Sequence, residues 1–401
     1  MYEDYGVNSG EMYKYYSEKD FLPTFANFEE NQQLQQYENS RKHLFQKLKM
    51  PLRVFQNANL IEFGPDTGEN AVVFAKWGSN IFIVEPNVRS LRRLQENFVR
   101  FGFSERILGI SDSPLQSFSS PMKFDFIVAE GFICTIRPNQ LWIDNCYSLL
   151  NVDGFLLMSY METTGSLFEL LYKIIYRYGC EVMDDDSIDV ANTLFKEKWD
   201  SIPHTRSFHS WYMDVIKNPY VRYNYLNTAH SLVKECENAG LNLYSSWPIY
   251  EDGLHVAWHK SIEHPLQRSN RLQQHIKKSI LTYVFGEKCF YTGKESHLNE
   301  IVKVTEEVIC LMDQQIDGVN VKSLMHCSKL IDSLASLLQQ GDFHCENNGL
   351  ERCNQKLDML GSVLHLILAN KYRDLEDFCA RDSIFINTWG MPHHIAIFQK
   401  G

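Results

Sequence analysis

The chain has 401 residues, 44% of them hydrophobic, a formal net charge of −11 and a pI near 5.7. That length predicts two or three domains, and the hydrophobic fraction is that of a globular protein with a sizeable core. An acidic chain without a basic run lacks the electrostatic footprint of a nucleic-acid or anionic-membrane binder, so neither partner is expected.

Arg89, Arg92 and Arg93 sit at helical spacing and read as a solvated helix face. The leader MYEDYGVNSGEMYKYY is acidic and lacks an apolar core, and no apolar run approaches the roughly 18 residues of a membrane span, so a soluble, cytoplasmic protein is expected. The ten cysteines, from Cys134 to Cys379, contain no C-x-x-C pair and read as reduced, mostly buried thiols. His344, Cys345 and Cys353 match no zinc spacing, and no metal site is expected.

Residues 1–50 read as N-terminal helices. Tyr2, Tyr5, Tyr13, Tyr15, Tyr16 and Phe21 make an aromatic leader, followed by a polar stretch, Glu29 to Lys49, of helix-forming composition. Next comes NLIEFGPDTGENAVVFAKWGSNIFIVE, from Asn59 to Glu85. Leu60, Ile61 and Glu62 end a short buried strand, Gly64 to Gly68 is a tight turn, and Asn70 to Lys76 is a helix. Ile81 to Val84 is a second strand that ends on Glu85. An acid at that distance from a glycine turn suits the ribose of an adenosine ligand. The turn departs from G-x-G-x-x-G, because Asp66 fills the second glycine slot. Its charge disfavours a pyrophosphate and suits an ammonium or a sulfonium.

With its acid-x-Gly-x-x-x-Gly motif, Glu62 to Gly68, the chain resembles the class I S-adenosylmethionine-dependent methyltransferases. The resemblance implies that Glu62 orders the loop and the ligand's amino acid end, that Gly64 and Gly68 permit close approach, and that Glu85 holds the ribose hydroxyls. Asp66, Asn70 and Pro86 belong to the same expected set. An N-terminal lid over the cofactor would bring Tyr15 or Tyr16 near it; a helix packed on the sheet edge is the alternative.

Asn87 to Phe101 reads as a helix and Arg106 to Ser111 as the third strand, after which the resemblance makes Asp112, with Ser113, the partner of the adenine amino group. Phe124 to Ala129 is the fourth strand, running into Glu130 and Gly131. Related folds turn that position to the methyl-transfer centre, so Glu130 is expected to line the pocket; a helix-starting acid at a strand exit is the other reading. Asn139 to Leu150 is a helix stopped by Asn151-Val152-Asp153-Gly154, and Phe155 to Tyr160 is the fifth strand. This order predicts an α/β fold, a doubly wound, mostly parallel seven-stranded sheet (Rossmann-like), with N-terminal helices, a helical insertion and a C-terminal helical domain.

The expected domains are a lid over 1–50, a cofactor-binding core over 51–160 and 225–260, a substrate-selecting insertion over 161–224, and a C-terminal helical domain over 261–401 that ends in a strand. The insertion carries HTRSFHSWYMDVIKNPYVRYNY. Methyl transfer to oxygen needs a base, so His209 and Asp214, five apart, are the candidate base and orienting acid, with His204 in reserve. A histidine packed among aromatics is the structural alternative. Leu226 to Ala239 reads as a helix closed by Gly240, and Leu241 to Pro248 and Gly253 to Lys260 as the sixth and seventh strands. The stretch Tyr212 to Lys260 also resembles methyltransferases of bacterial surface-polysaccharide gene sets, departing where Trp247 interrupts the Ser-Ser-Pro step; this tilts the acceptor toward a sugar.

Leu266 to Phe285, Leu298 to Gln315, Val321 to Gln340 and Leu350 to Asn370 read as four bundle helices. Their bundle suits a homodimer interface as well as an appendage, and the sequence leaves both open. Ile384 to Lys400 returns to strand-like sequence and is expected to add a strand to a sheet. The function expected is methyl transfer from S-adenosylmethionine to an oxygen or nitrogen of a small molecule. A non-catalytic cofactor-binding scaffold and a nicotinamide-dependent oxidoreductase are the rival readings.

Overall fold

The structure is a computed structural model that describes residues 15, 16, 18, 19, 30–133, 136, 139–203, 206–251 and 265–401. It divides into two compact units, residues 1–160, 231–250 and 394–401 in the first, and 161–230 with 251–393 in the second.

The first unit carries a seven-stranded sheet in the order β3-β2-β1-β4-β5-β9-β6. Its strands are β1 (Asn59–Phe63), β2 (Asn80–Val84), β3 (Ile107–Ser111), β4 (Phe124–Glu130), β5 (Leu150–Met161), β6 (Leu241–Trp247) and, past a short β7 (Cys289–Tyr291) and β8 (Phe343–Cys345) in the second unit, β9 (His393–Lys400). β1 to β5 pair in parallel; β1, β2 and β4 are the mostly buried apolar runs of strands covered on both faces, while the edge strand β3 is only half-buried. Phe63 aligns with Val84 and Ala129, Val84 with Ser111, and Glu130 with Ser159, so the carboxyl tips reach one edge together.

The expected stop at Asn151 to Gly154 lies inside β5. The β4–β5 register shifts between Phe124 and Phe126, Asp153 takes a positive φ of 62°, and Asp125 accepts from the Asn59 amide and from Asn151 Nδ2. A carboxylate that bonds both neighbouring strands holds the bulge in the ladder. Residues 253–260, expected as the seventh strand, lie outside the described residues, and β9 is the strand that completes the sheet. It enters between β5 and β6 and pairs antiparallel with β6, Leu241 opposite Lys400 and Trp247 opposite Ile395. The residues from Ser383 to Asn387 form a short helix, so the strand-like sequence becomes a strand only from His393.

Helix α1 (Asn31–Lys47) belongs to the core as well as to the surface. Phe45 is fully buried and packs edge-on against Phe55, Phe74 and Trp77, with ring centroids 5.1, 5.9 and 5.4 Å away. Glu38 accepts from Trp77 Nε1 and pairs with Lys42 and Lys76. Burial would raise its carboxyl, but these bonds hold it down at about 2. Helices α2 (Glu69–Lys76), α3 (Val88–Arg100) and α4 (Asn139–Leu149) connect the parallel strands.

In the second unit the insertion and the C-terminal helices share one apolar core. Leu171 and Ile175 pack in it with Leu194, Ile309, Leu334 and Leu364. Segments expected as an insertion and a separate domain are therefore one unit, because each contributes an apolar face to the same cluster. The β7–β8 ladder places Cys289 opposite Cys345, and the two form a disulfide. This corrects the reading of all cysteines as reduced thiols: antiparallel pairing brings together two residues 56 apart in sequence. Cys345 thereby leaves the trio with His344 and Cys353.

β9 fills the space between β5 and β6, so removing residues 393–401 exposes two facing strand edges. The truncated protein is predicted to elute as aggregate in size-exclusion chromatography under conditions where the full chain does not.

Candidate cofactor site

The turn between β1 and α2 is built on left-handed backbone. Gly64, Asp66 and Gly68 take φ values of 60°, 49° and 83°, and aspartate is among the few non-glycine residues that tolerate this region. Gly68 is required twice over, since a Cβ there would lie 2.5 Å from Leu94 Cγ on α3. The Glu85 carboxylate closes the turn, accepting from the Asp66 amide at 3.0 Å and from the Asn87 amide at 2.7 Å. Asn87 in turn caps α3 by accepting from the Arg89 and Ser90 amides. The Asp66 carboxylate accepts from Ser90 Oγ at 2.6 Å, so its charge is engaged at the start of α3.

Glu62, Glu69, Glu85 and Glu130 are collected at this edge. Burial pushes Glu62 well above the usual carboxylate range, and the charges of Glu130, Glu69 and Glu85 add to the rise while Arg41 opposes it. Burial pushes Glu85 up to about 8 against the pull of its two amide donors. It also pushes Glu69 up to about 8, despite the Thr67 hydroxyl it accepts from. Glu62 Oε2 is buried and has no hydrogen-bond partner among the described residues. A buried polar atom without a partner is uncommon and points to a missing donor. Asn70 Oδ1 accepts from Tyr37 of α1 at 2.8 Å.

The other expected positions fall along the same edge. Pro86 follows Glu85 at the tip of β2, and Asp112 is exposed just beyond β3, while Ser113 and Ser111 bond through their hydroxyls at 2.8 Å. Gly131 follows Glu130 with φ 86°, and a Cβ there would meet nothing within 4 Å. Glu130 is not bare: Arg41 of α1 donates to both of its oxygens, at 2.8 and 2.6 Å. Burial would lower the Arg41 guanidinium, but Glu130 holds it above its ordinary value. Tyr15 lies in a short helical stretch with its ring 5.5 Å from that of Tyr16.

The candidates for catalysis lie in the second unit. His209 is exposed in a short helix, Phe208–Trp211, and Asp214 follows in a π-helical turn where it accepts from Arg206 at 2.7 Å. His204 lies outside the described residues. One group escaped the sequence reading, and of a second the sequence marked only His394, as a strand cap or a residue that reaches the pocket. Tyr37, Arg41 and Phe45 repeat every fourth residue on one face of α1, a spacing that marks them as inward-facing. At the far side of the sheet the buried Tyr250 hydroxyl bonds to that of Tyr160 and to His394 Nδ1, the latter at 2.6 Å.

The family model described as Methyltransferase domain matches residues 32–246, more than half of the chain. The chain belongs to this family. S-adenosylmethionine, the cofactor that the resemblance of the sequence implies, is the ligand to set against the residues of the edge. No curated protein matches the sequence. Among solved structures it is similar to PKMT2 from Rickettsia typhi in complex with AdoHcy, at 16% identity and a TM-score of 0.42 over 61% of this chain and 50% of that one. It is also similar to the N-methyltransferase NodS from Bradyrhizobium japonicum WM9 in complex with S-adenosyl-L-homocysteine, at 19% identity and a TM-score of 0.26 over 31% of this chain and 63% of that one. The chain covers 43%, 38% and 50% of the first three structures it matches.

The residues present fit this cofactor. Glu62 Oε2 lacks a donor, as an ammonium would supply, and the turn beside it carries glycine at Gly64 and Gly68. Substituting Gly68→Ala combines the left-handed penalty with overpacking against Leu94, and about 2–4 kcal/mol of stability is expected to be lost. Gly131→Ala, in open space, should cost about 1–2 kcal/mol. Denaturant melts of both variants check the contrast. A carboxylate whose pKa is raised by folding destabilises the fold once ionised. The effect of Glu69 and Glu85 is absent below their ordinary 4.5 and grows until the pH passes about 8. The melting temperature of the ligand-free protein should therefore fall between pH 5.5 and 8.5, and fall less in Glu85→Gln.

Proposed function

We propose that this protein transfers a methyl group from S-adenosylmethionine to an oxygen or nitrogen of a small molecule, a sugar or nucleotide sugar being the favoured acceptor. The observation that carries the reading is the unpartnered Glu62 oxygen beside a left-handed glycine turn, in a chain of the methyltransferase domain family. When bound, the cofactor supplies a methyl group made electrophilic by a sulfonium. Glu62 holds the ammonium of its amino acid end, Glu85 the ribose hydroxyls, and Asp112 with Ser113 the adenine amino group. Asn70, Pro86 and Gly131 shape the surrounding wall, Glu130 faces the acceptor, and Tyr15 belongs to the aromatic cover that excludes water.

The edge favours this ligand over a dinucleotide. Glu62, Glu69, Glu85 and Glu130 in their ionised form repel a pyrophosphate and attract a sulfonium and an ammonium, and a cation bound among them draws the buried ones toward ionisation. His209 is the proposed base that takes the acceptor's proton, with Asp214 as the orienting acid and His204 in reserve. An amine acceptor needs less, because a neutral nitrogen attacks without prior deprotonation by the protein. The preference for a sugar rests on the likeness of Tyr212 to Lys260 to the polysaccharide-associated methyltransferases.

Calorimetric titration with S-adenosylmethionine, S-adenosylhomocysteine and NAD tests the cofactor. The first two are expected to bind and NAD to be silent; binding of NAD alone would sink the proposal. Labelled cofactor offered with panels of sugars, amines and phenols then reads the acceptor class, and failure on all three favours a non-catalytic scaffold. His209→Ala is expected to slow turnover by about 100-fold or more with S-adenosylhomocysteine affinity unchanged, the usual size of a general-base contribution. Unaltered turnover would remove His209 from the mechanism.

A further inference from the structure

An amino acid end carries an ammonium and a carboxylate, and among the described residues the cofactor edge is furnished mainly for the ammonium. Glu62, Glu69, Glu85 and Glu130 suit the cation, while a carboxylate placed among them would be repelled. Of the charges that bear most strongly on Glu62, the only positive one is that of Arg41. Its side chain is 8% exposed, its Nε has no hydrogen-bond partner among the described residues, and its two terminal nitrogens are committed to Glu130. The guanidinium lies 5.4 Å from the Phe45 ring centroid and 5.5 Å from that of Phe74. These faces give it an apolar and cation-attracting seat that does not depend on which carboxylate its fork engages.

We propose that Arg41 is a two-position latch, closed on Glu130 when the cofactor edge is empty and turned to the cofactor's carboxylate when S-adenosylmethionine binds. The inference rests on the methyl-donor reading above. One bidentate carboxylate pair is exchanged for another, so the turn costs little, and the planar fork that makes the exchange possible is a property of arginine and not of lysine. The consequence falls on Glu130. Released from Arg41 at the tip of β4, beside the open position of Gly131, its carboxylate becomes available to an acceptor's hydroxyl or ammonium only after the methyl donor has entered. Arg41 is thus a cofactor-binding residue whose movement also imposes an order, cofactor first and acceptor second.

The test compares two ligands that differ in the amino acid end. S-adenosylhomocysteine carries it, and 5′-methylthioadenosine keeps the adenosine and thioether without it. In calorimetry on the full chain, Arg41→Met is expected to lose about 10- to 100-fold in affinity for S-adenosylhomocysteine, as for a lost charged hydrogen bond, with less than about a threefold change for 5′-methylthioadenosine. Equal losses for both ligands would assign Arg41 to folding alone, and no loss for S-adenosylhomocysteine would overturn the latch. Glu130→Gln removes the competing carboxylate, so it should tighten S-adenosylhomocysteine severalfold and leave 5′-methylthioadenosine unchanged. Weaker or equal binding in that variant also overturns the latch, even if Arg41→Met fails to fold. A wild-type chain that binds neither ligand overturns the cofactor reading itself, which separates the two failures.

Discussion

The Glu85 carboxylate is the tie on which the cofactor edge depends. It stands at the tip of β2, yet its oxygens accept one amide from the turn after β1 and one from the residue that caps α3. A left-handed turn leaves amides pointing away from any sheet or helix ladder, and a buried amide without an acceptor costs about 1–3 kcal/mol. Glu85 accepts one of them, and with it fixes the spacing between the β1 turn and the β2 tip. Neutral glutamic acid would make a poorer tie, since one oxygen would become a donor facing a donor. Burial pushes the group toward that neutral form while the two amides resist. A ligand hydroxyl donating to the same carboxylate would push in the direction of the amides, so ligand binding and turn integrity favour the same charge state.

Electrostatics at this edge are set less by Asp66 than its place in the motif suggests. Its carboxylate is held by Ser90, and its backbone geometry is what the turn uses. The proposed preference for a cation rests mainly on Glu62, Glu69 and Glu85, buried acids that a sheet tip would not tolerate without a compensating ligand or proton. The guanidinium of Arg41 bears on Glu62 and that of Arg93 on Glu69, and Arg41 acts from a helix, α1, anchored by Phe45 in the aromatic cluster and by Glu38 on Trp77, Lys42 and Lys76.

Much of this was legible in the sequence, and for identifiable reasons. Parallel strands covered on both faces read as apolar runs, so Ile81–Val84 and Phe124–Ala129 fall within the observed β2 and β4, and the amphipathic period of Val321–Gln340 marks that helix at both ends. The turn was legible because glycines and an aspartate at left-handed positions have few substitutes. Arg41 was not, because a charged residue in a polar helix reads as solvated until the partner, 89 positions away, is known. The position of β9 escaped for the same reason: an apolar run announces a strand, but its neighbours are chosen by long-range pairing. The bulge around Asp153 reads locally as a turn, and its tie is again long-range: Asp125 of β4 accepts from the Asn151 side chain beside it.

The late return of the chain into the sheet explains how a large helical unit coexists with an ordinary methyltransferase sheet. β6 and β9 form an antiparallel pair in which Trp247 faces Ile395, so the segment from 248 to 392 is topologically the loop of one hairpin. Closing a loop becomes only slowly more costly with length, about 0.6 kcal/mol for each doubling. A short hairpin turn can therefore be replaced by a folded unit at small entropic expense, provided that the unit buries its own core. Here the core is shared: the helices within 248–392 bury it together with Leu167 to Ile216, in one apolar cluster that runs to Phe385. Lys198, fully buried, donates to the Phe385 and Thr388 carbonyls and lies 4.4 Å from the Trp389 ring, which fixes the chain shortly before β9 begins. The helical unit thus delivers the last strand from an anchored start, and β5 and β6 gain a common neighbour that the core sequence between them does not supply.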